Sequence, residues 1–147
     1  MKIVLVAIGK KHDTELRSAI DDFTVRIGRY VPVEWKLISS SDIETEGKAV
    51  LGGVGAGDTL VLFDERGMLP TSPDFASFLQ KRFNEGPKRI VFVIAGAYGA
   101  SDELRARAAH TISLSKLTFP HQLVRLIVVE QIYRGLSILR GEKYHHE

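Results

Sequence analysis

Residues 3–8 read Ile-Val-Leu-Val-Ala-Ile, an unbroken apolar run rich in β-branched side chains. A strand with one face in water would alternate apolar and polar residues, so a continuous run predicts a strand that is buried on both faces. Such strands are typical of parallel sheets that helices cover on both sides. The run at 3–8 therefore predicts the central strand of an α/β domain.

Four further segments have strand character. The predicted strands are 33–38, 59–63, 89–95 and 111–117. Segment 33–38 alternates apolar and charged residues, which places it toward an edge of the sheet, whereas 59–63 and 89–95 look fully buried. The sequence thus predicts a mostly parallel sheet of about five strands flanked by helices, an α/β fold.

Segments with helical spacing separate these strands. Helices are predicted to begin near Asp13, Ser41, Ser72, Ser101 and Gln122. Ser41 and Glu44 have capping-box spacing, Pro73 suits the first turn of a helix, and Ser101 is placed to cap the short helix that follows it. The last helix is predicted to run to Leu139, where Gly141 ends it.

The chain has 147 residues, the size of one ordinary domain, and no linker, repeat or low-complexity segment divides it. We therefore predict a single domain over residues 1–147. The net charge of +2 gives little overall attraction to a polyanion. A nucleic-acid partner would consequently need local basic groups or basic groups from a second subunit.

Several kinds of site are excluded by composition. The chain has no cysteine, which excludes disulfides, thiolate zinc ligands and a cysteine nucleophile. The histidines show no ligand spacing with carboxylates, so no metal site is predicted. The apolar run at 3–8 is too short for a signal peptide, and no other segment approaches a membrane span. We therefore predict a cytoplasmic protein without a membrane or metal partner.

The loops after three predicted strands are candidate ligand sites, because ligands of open α/β sheets bind outside the carboxyl ends of the strands. Residues 64–67 after Phe63 are charged and, taken alone, indicate a solvated turn. Residues 95–101 are mostly small and lead into a helix, where a ligand can approach the backbone closely. Residues 118–122 contain Pro120, which disfavours a helical conformation at the preceding residue. From these residues alone, a structural loop and a binding loop are equally possible.

Other motifs gain less support. The chain lacks the glycine spacing of a dinucleotide fold, the Gly-Lys-Ser/Thr of a phosphate loop and the Gly-x-Ser-x-Gly of a hydrolase elbow. The glycines at 52–57 precede a strand, which favours a flexible connection. Residues 144–147 read Tyr-His-His-Glu. They favour a frayed terminus, with a tail that orders over a substrate as the alternative.

The C-terminal third carries a resemblance. Residues 113–125 read Ser-Leu-Ser-Lys-Leu-Thr-Phe-Pro-His-Gln-Leu-Val-Arg, residues 130–134 read Glu-Gln-Ile-Tyr-Arg, and Tyr144-His145 follow near the end. With the opening Met-Lys-Ile and Ala-Ile-Gly-Lys of residues 1–10, they resemble the small SPOUT-class methyltransferases that modify pseudouridine at its N3 nitrogen in large-subunit ribosomal RNA. The resemblance covers essentially the whole chain.

The resemblance implies a trefoil knot at the C-terminal end, a site for S-adenosylmethionine formed by the knotted loops, and a homodimer. Carried over by position, the cofactor-binding residues are Phe63, Ala95, Gly96, Leu114, Ser115, Lys116, Leu117, Thr118 and Phe119. Ala95 departs from the family, whose members typically have a Gly-Gly pair at this point of the loop.

The resemblance also implies catalytic roles for four residues near the C-terminus. Tyr144 and His145 are predicted to close over the target base, Arg134 to bind an RNA phosphate or an anionic edge of the base, and Glu130 to orient these groups. Glu130 and His145 both remain candidates for the general base. The expected substrate is large-subunit RNA in assembled ribosomal particles.

Two alternatives stay open at this point. One is a SPOUT enzyme that methylates a transfer RNA or a ribose hydroxyl. The other is a non-catalytic, ribosome-associated binding module with a vestigial cofactor pocket.

Overall fold

The five strands form one parallel sheet in the computed structural model, which describes residues 1–146. The strands are β1 (Lys2–Ile8), β2 (Val33–Ile38), β3 (Asp58–Met68), β4 (Arg89–Ile94) and β5 (His110–Ile112). Their order is β2-β1-β4-β3-β5, and each neighbouring pair is parallel. The predicted α/β class is confirmed, as is the place of 33–38 at an edge.

Helices cover both faces of this sheet. They are α1 (Thr14–Gly28), α2 (Ile43–Gly52), α3 (Ser72–Asn84), α4 (Asp102–Arg107) and α5 (His121–Leu139). One core cluster joins α1, α3 and α5 to one face, and a second joins α2 and α4 to the other. All of residues 3–8 are buried, because β1 is covered on both sides as its continuous apolar run predicts. No helix of residues 1–146 is both long and apolar enough to cross a bilayer.

Two of the helix starts differ from the prediction. Helix α2 is capped by Asp42, whose carboxylate accepts a hydrogen bond of 2.9 Å from the backbone N–H of Thr45, so the predicted cap at Ser41 is wrong. Asp13 occupies the N-cap position of α1 but makes no side-chain cap; its backbone N–H donates instead to Gln122 Oε1 at 3.0 Å. The cap at Ser101 is confirmed, since its hydroxyl accepts from the N–H of Leu104 at 3.1 Å.

The fifth strand is shorter than predicted. Strand β5 ends at Ile112 rather than at Leu117, because short side chains satisfy the backbone locally beyond that point. The Ser113 hydroxyl donates to the carbonyl of Ser115 at 2.9 Å, and the Ser115 hydroxyl accepts from the N–H of Leu117 at 2.9 Å. Residues 113–120 consequently form an irregular loop that leads into α5. The trefoil knot implied by the resemblance stays a prediction.

Strand β3 is longer than predicted and contains a bulge. Phe63 and Met68 both pair with Ile112, so residues 64–67 protrude between them while the strand continues. Gly67 is required at the return, because a Cβ atom there would lie 2.5 Å from the backbone of Thr111. The interpretation of 64–67 as a simple solvated turn is therefore wrong.

Helix α5 is attached to the carboxyl end of β1 by a buried arginine. The Arg125 side chain is 1% exposed and donates to the carbonyl oxygens of Ile8 at 2.7 Å, Gly9 at 3.2 Å and Lys11 at 3.1 Å. From the sequence alone, Arg125 is expected on the polar face of α5 with Glu130 and Arg134, but the structure buries it. Gly9 has φ of +115°, and a Cβ atom there would lie 2.9 Å from Arg125 Nη2.

Candidate active site

A cleft of about 630 Å³ opens where β3, β4 and β5 reach the same edge of the sheet. It is lined by residues 63–66, 94–99, 113–115 and 117–121, with Arg105 and Val124. Its volume lies within the range of about 300–1,000 Å³ that small-molecule sites occupy. The three loops that the sequence singled out therefore meet at one place, because parallel strands end at a common edge.

Most of the predicted cofactor residues lie around this cleft. Those that line it are Phe63, Ala95, Gly96, Leu114, Ser115, Leu117, Thr118 and Phe119. Lys116 does not line it and is exposed. The role of these nine residues in cofactor binding stays a prediction.

An ion pair that the sequence did not reveal joins two walls of the cleft. The Asp64 side chain is 6% exposed and pairs with Arg105 of α4. Arg105 also lies beneath the loop after β4, since a Cβ atom at Gly99 would be 3.4 Å from its Nη2. Asp64 Oδ1 accepts a further hydrogen bond of 2.9 Å from the N–H of Arg66. The sequence shows a carboxylate directly after a buried strand, which was the signal available for this position. Its partner could not be found in the local sequence, because it lies 41 residues away along the chain.

The four predicted catalytic residues form a second cluster, on α5 and the tail. Glu130 Oε2 accepts hydrogen bonds from Arg134 Nη2 at 2.7 Å and from the Tyr144 hydroxyl at 2.9 Å. Arg134 Nη1 lies 3.0 Å from His145 Nδ1, and its guanidinium lies over the Tyr144 ring at 4.8 Å. Because arginine has no acceptor, His145 Nδ1 must accept in this arrangement. The structure thus brings Glu130, Arg134, Tyr144 and His145 into direct contact.

Hydrogen bonding and burial fix the charge states of two of these groups. The hydrogen bonds from Arg134 to Glu130 raise the pKa of this guanidinium above its ordinary value, so it stays cationic. Burial, followed by the hydrogen bond to Glu130, raises the pKa of the Tyr144 phenol. The cluster therefore contains a cation and a neutral phenol at neutral pH.

This cluster does not line the 630 Å³ cleft of its own chain. Glu130 follows Val124 by six residues, about 9 Å along the helix axis. A smaller cavity of about 180 Å³ lies between them and shares Phe63, Ser113 and Leu114 with the cleft. Gln131 lines this cavity and donates to Glu130 Oε1 at 2.8 Å. The cleft and the cluster are consequently neighbours but separate sites.

Two histidines outside the cluster, His12 and His110, pack against aromatic rings. His12 packs edge-on against Trp35, with ring centroids 4.8 Å apart, and burial and the charge of Arg125 lower its pKa. Burial and the charge of Arg82 likewise lower the pKa of His110. Within residues 1–146, no three His, Asp or Glu side chains are grouped so that they could hold a metal ion.

Comparisons with known proteins match this chain over nearly its whole length. Residues 1–145 match the family described as Predicted SPOUT methyltransferase. Proteins named Ribosomal RNA large subunit methyltransferase H from Flavobacterium johnsoniae and Parabacteroides distasonis are each 42% identical, with 100% of both chains covered. The protein of that name from Geotalea daltonii is 43% identical over 99% of this chain and 100% of its own. The chain therefore belongs to the SPOUT methyltransferase family, whose methyl donor is S-adenosylmethionine.

Proposed function

We propose that this protein transfers a methyl group to the N3 nitrogen of a pseudouridine in large-subunit ribosomal RNA, in the cytoplasm and on assembled ribosomal particles. The observation that carries the proposal is the convergence of the predicted cofactor residues on one cleft beside the Glu130 cluster. The names of the relatives give the RNA class. The net charge of +2 alone would not indicate an RNA substrate.

The cleft fits S-adenosylmethionine in size and in chemistry. The loops after β4 and β5 bring small residues to its wall, where a ligand can approach the backbone closely, while Phe63 and Leu114 provide apolar surface. Ala95, the departure from the family pattern, adds one methyl group to the wall and leaves the cleft open. When bound, this cofactor supplies an electrophilic methyl carbon. The residues of the chain have to hold the acceptor nitrogen in line with that carbon, and positioning of this kind accounts for much of the rate.

The Glu130 cluster supports the other half of the reaction. Arg134 can bind an RNA phosphate or the anionic edge of the base. The Tyr144 hydroxyl donates its one proton to Glu130, so its oxygen can accept from a base N–H. Glu130 holds both groups through the hydrogen bonds described above. The ring nitrogen must lose its proton, and Glu130 and His145 both remain candidates to accept it.

A homodimer would connect the two sites. Because the cluster lies outside the cleft of its own chain, we propose that the tail of one copy approaches the cleft of the other. The tail packs on α5 through Tyr144 and Tyr133, whose ring centroids are 4.7 Å apart, and so has a fixed position from which to do this. Sedimentation of the pure protein at micromolar concentration is expected to give a dimer. A monomer with full activity would overturn this proposal.

The nucleosides of large-subunit RNA test the function directly. RNA from cells without this gene is expected to lack one methylpseudouridine that the parent strain contains. The purified protein with S-adenosylmethionine should restore it on ribosomal particles. An unchanged nucleoside profile, or a loss confined to transfer RNA, would overturn the proposed function. Equal turnover on a short free hairpin would contradict the preference for assembled particles.

A further inference from the structure

The mouth of the cleft carries two strongly exposed apolar side chains. In residues 1–146, Tyr98 and Leu117 are the most exposed large hydrophobic residues, at 90% and 73%. Both line the cleft, and they come from different loops, Tyr98 from the loop after β4 and Leu117 from the loop after β5. Apolar side chains scattered over a surface need no explanation, but two at one cleft indicate a binding surface.

Tyr98 differs from the other three tyrosines of the chain. Tyr30 and Tyr133 have ring centroids 6.2 Å apart, and Tyr133 also contacts Tyr144. The hydroxyls of Tyr30 and Tyr144 donate to carboxylates. Within residues 1–146, Tyr98 has neither an aromatic contact nor a side-chain hydrogen bond. Its ring faces are therefore available to a ligand.

The turn that carries Tyr98 is fixed from below. Gly96 and Gly99 form an antiparallel bridge, and the N–H of Gly99 donates to the carbonyl of Gly96 at 3.0 Å. Gly99 has φ of +89°, a conformation that glycine adopts without strain. Arg105 lies beneath this glycine and pairs with Asp64. The bridge and the hydrogen bond thus define the conformation of the turn that carries the Tyr98 ring.

We propose that Tyr98 stacks on a base of the RNA substrate at the mouth of the cleft, with Leu117 limiting the space on the other side. This inference rests on the proposed function, which brings a nucleotide of single-stranded or looped RNA to this place. Bases splayed out of such RNA stack on exposed aromatic rings. Stacking tolerates any base, so Tyr98 acts in substrate binding, whereas the reaction is assigned to the Glu130 cluster.

Three substitutions separate stacking from other roles. Tyr98→Ala and Tyr98→Leu are expected to raise the KM for ribosomal particles by about tenfold to a hundredfold, whereas Tyr98→Phe should stay within about twofold of the parent protein. Leucine keeps apolar area without an aromatic face. Met68→Ala is the matched control, because Met68 is also exposed and apolar but does not line the cleft. The affinity for S-adenosylmethionine, measured by calorimetry, should be unchanged in all of them.

Each contrary outcome overturns this inference. An unchanged KM in Tyr98→Ala would exclude a contact between this side chain and RNA, and a normal KM in Tyr98→Leu would exclude stacking as its basis. Weakened cofactor binding in Tyr98→Ala assigns the ring to the cofactor instead. Failure of the parent protein to methylate ribosomal particles would be a failure of the proposed function, and the parent assay shows this before any variant is compared.

Discussion

Replacing Arg125 with methionine is expected to destabilise the protein by about 3 kcal/mol or more, the largest stability effect that we predict for one side chain. Methionine fills a similar volume but cannot donate. The carbonyl oxygen of Ile8, where the hydrogen bond is buried, and those of Gly9 and Lys11, where it is partly buried, would then lose this shared partner. Burial lowers the pKa of the Arg125 guanidinium. Because an arginine stays charged in a protein, the three carbonyl dipoles have to stabilise a buried positive charge.

Urea unfolding of the purified variants measures this effect. Arg107→Met, on the exposed side of α4, is the control and should change the free energy of unfolding by no more than about 0.5 kcal/mol. Arg125→Lys keeps the charge but has one nitrogen in place of the planar fork, so it should fall between the parent and Arg125→Met. If Arg125→Met cannot be purified, Arg125→Lys still provides a value. An unfolding free energy of Arg125→Met or of Arg125→Lys equal to that of the parent would contradict the account given for this residue.

Replacing Glu130 with glutamine is expected to lower kcat on ribosomal particles by at least about a hundredfold. The change keeps the shape of the side chain and removes the charge that holds Arg134 and the Tyr144 hydroxyl. Arg134 and Tyr144 would then lose the partner that fixes their positions. Binding of S-adenosylmethionine should be unaffected, because Glu130 does not line the cleft.

Glu142→Gln provides a closely matched control. Glu142 lies in the same C-terminal region and also accepts a tyrosine hydroxyl, that of Tyr30, at 2.6 Å, but it is outside the predicted site. Its substitution should leave kcat within about twofold of the parent, a far smaller effect than removal of a catalytic group. Methyl incorporation at saturating substrate, with thermal unfolding as a check on folding, measures both variants. Parent-like turnover in Glu130→Gln would exclude the cluster from the reaction, and so would full activity in both His145→Ala and a protein without residues 144–147.

The strands were predictable where burial and sequence pattern correspond. The run at 3–8 is apolar throughout and forms an interior strand of the sheet, between β2 and β4, covered on both faces. The same reasoning failed at 113–117, where Leu114 and Leu117 continue the apolar pattern after β5 has ended. Leu117 is exposed at the cleft, so its apolar character does not contribute to the core. Periodicity alone does not distinguish these two uses.

The candidate site was predictable in part for a geometric reason. The carboxyl ends of parallel strands share one edge, which brings Phe63, Ala95 and residues 113–119 together whatever else the chain does. The pairing of Asp64 with Arg105 and the burial of Arg125 were not predictable, because both depend on partners far away along the chain. The separation of the Glu130 cluster from the cleft likewise follows from the packing of α5 and not from any local pattern.

The bulge in β3 separates the residues that pair within the sheet from the residues that line the cleft. Pairing with Ile112 stops at Phe63 and resumes at Met68, so the sheet does not depend on the side chains of residues 65 and 66, which are exposed. These two positions nevertheless line the cleft. Exchanges there can alter what the cleft accepts while the fold keeps its pairing, provided that glycine stays at 67. The bulge is therefore a place where related enzymes can acquire a different selectivity at little cost in stability.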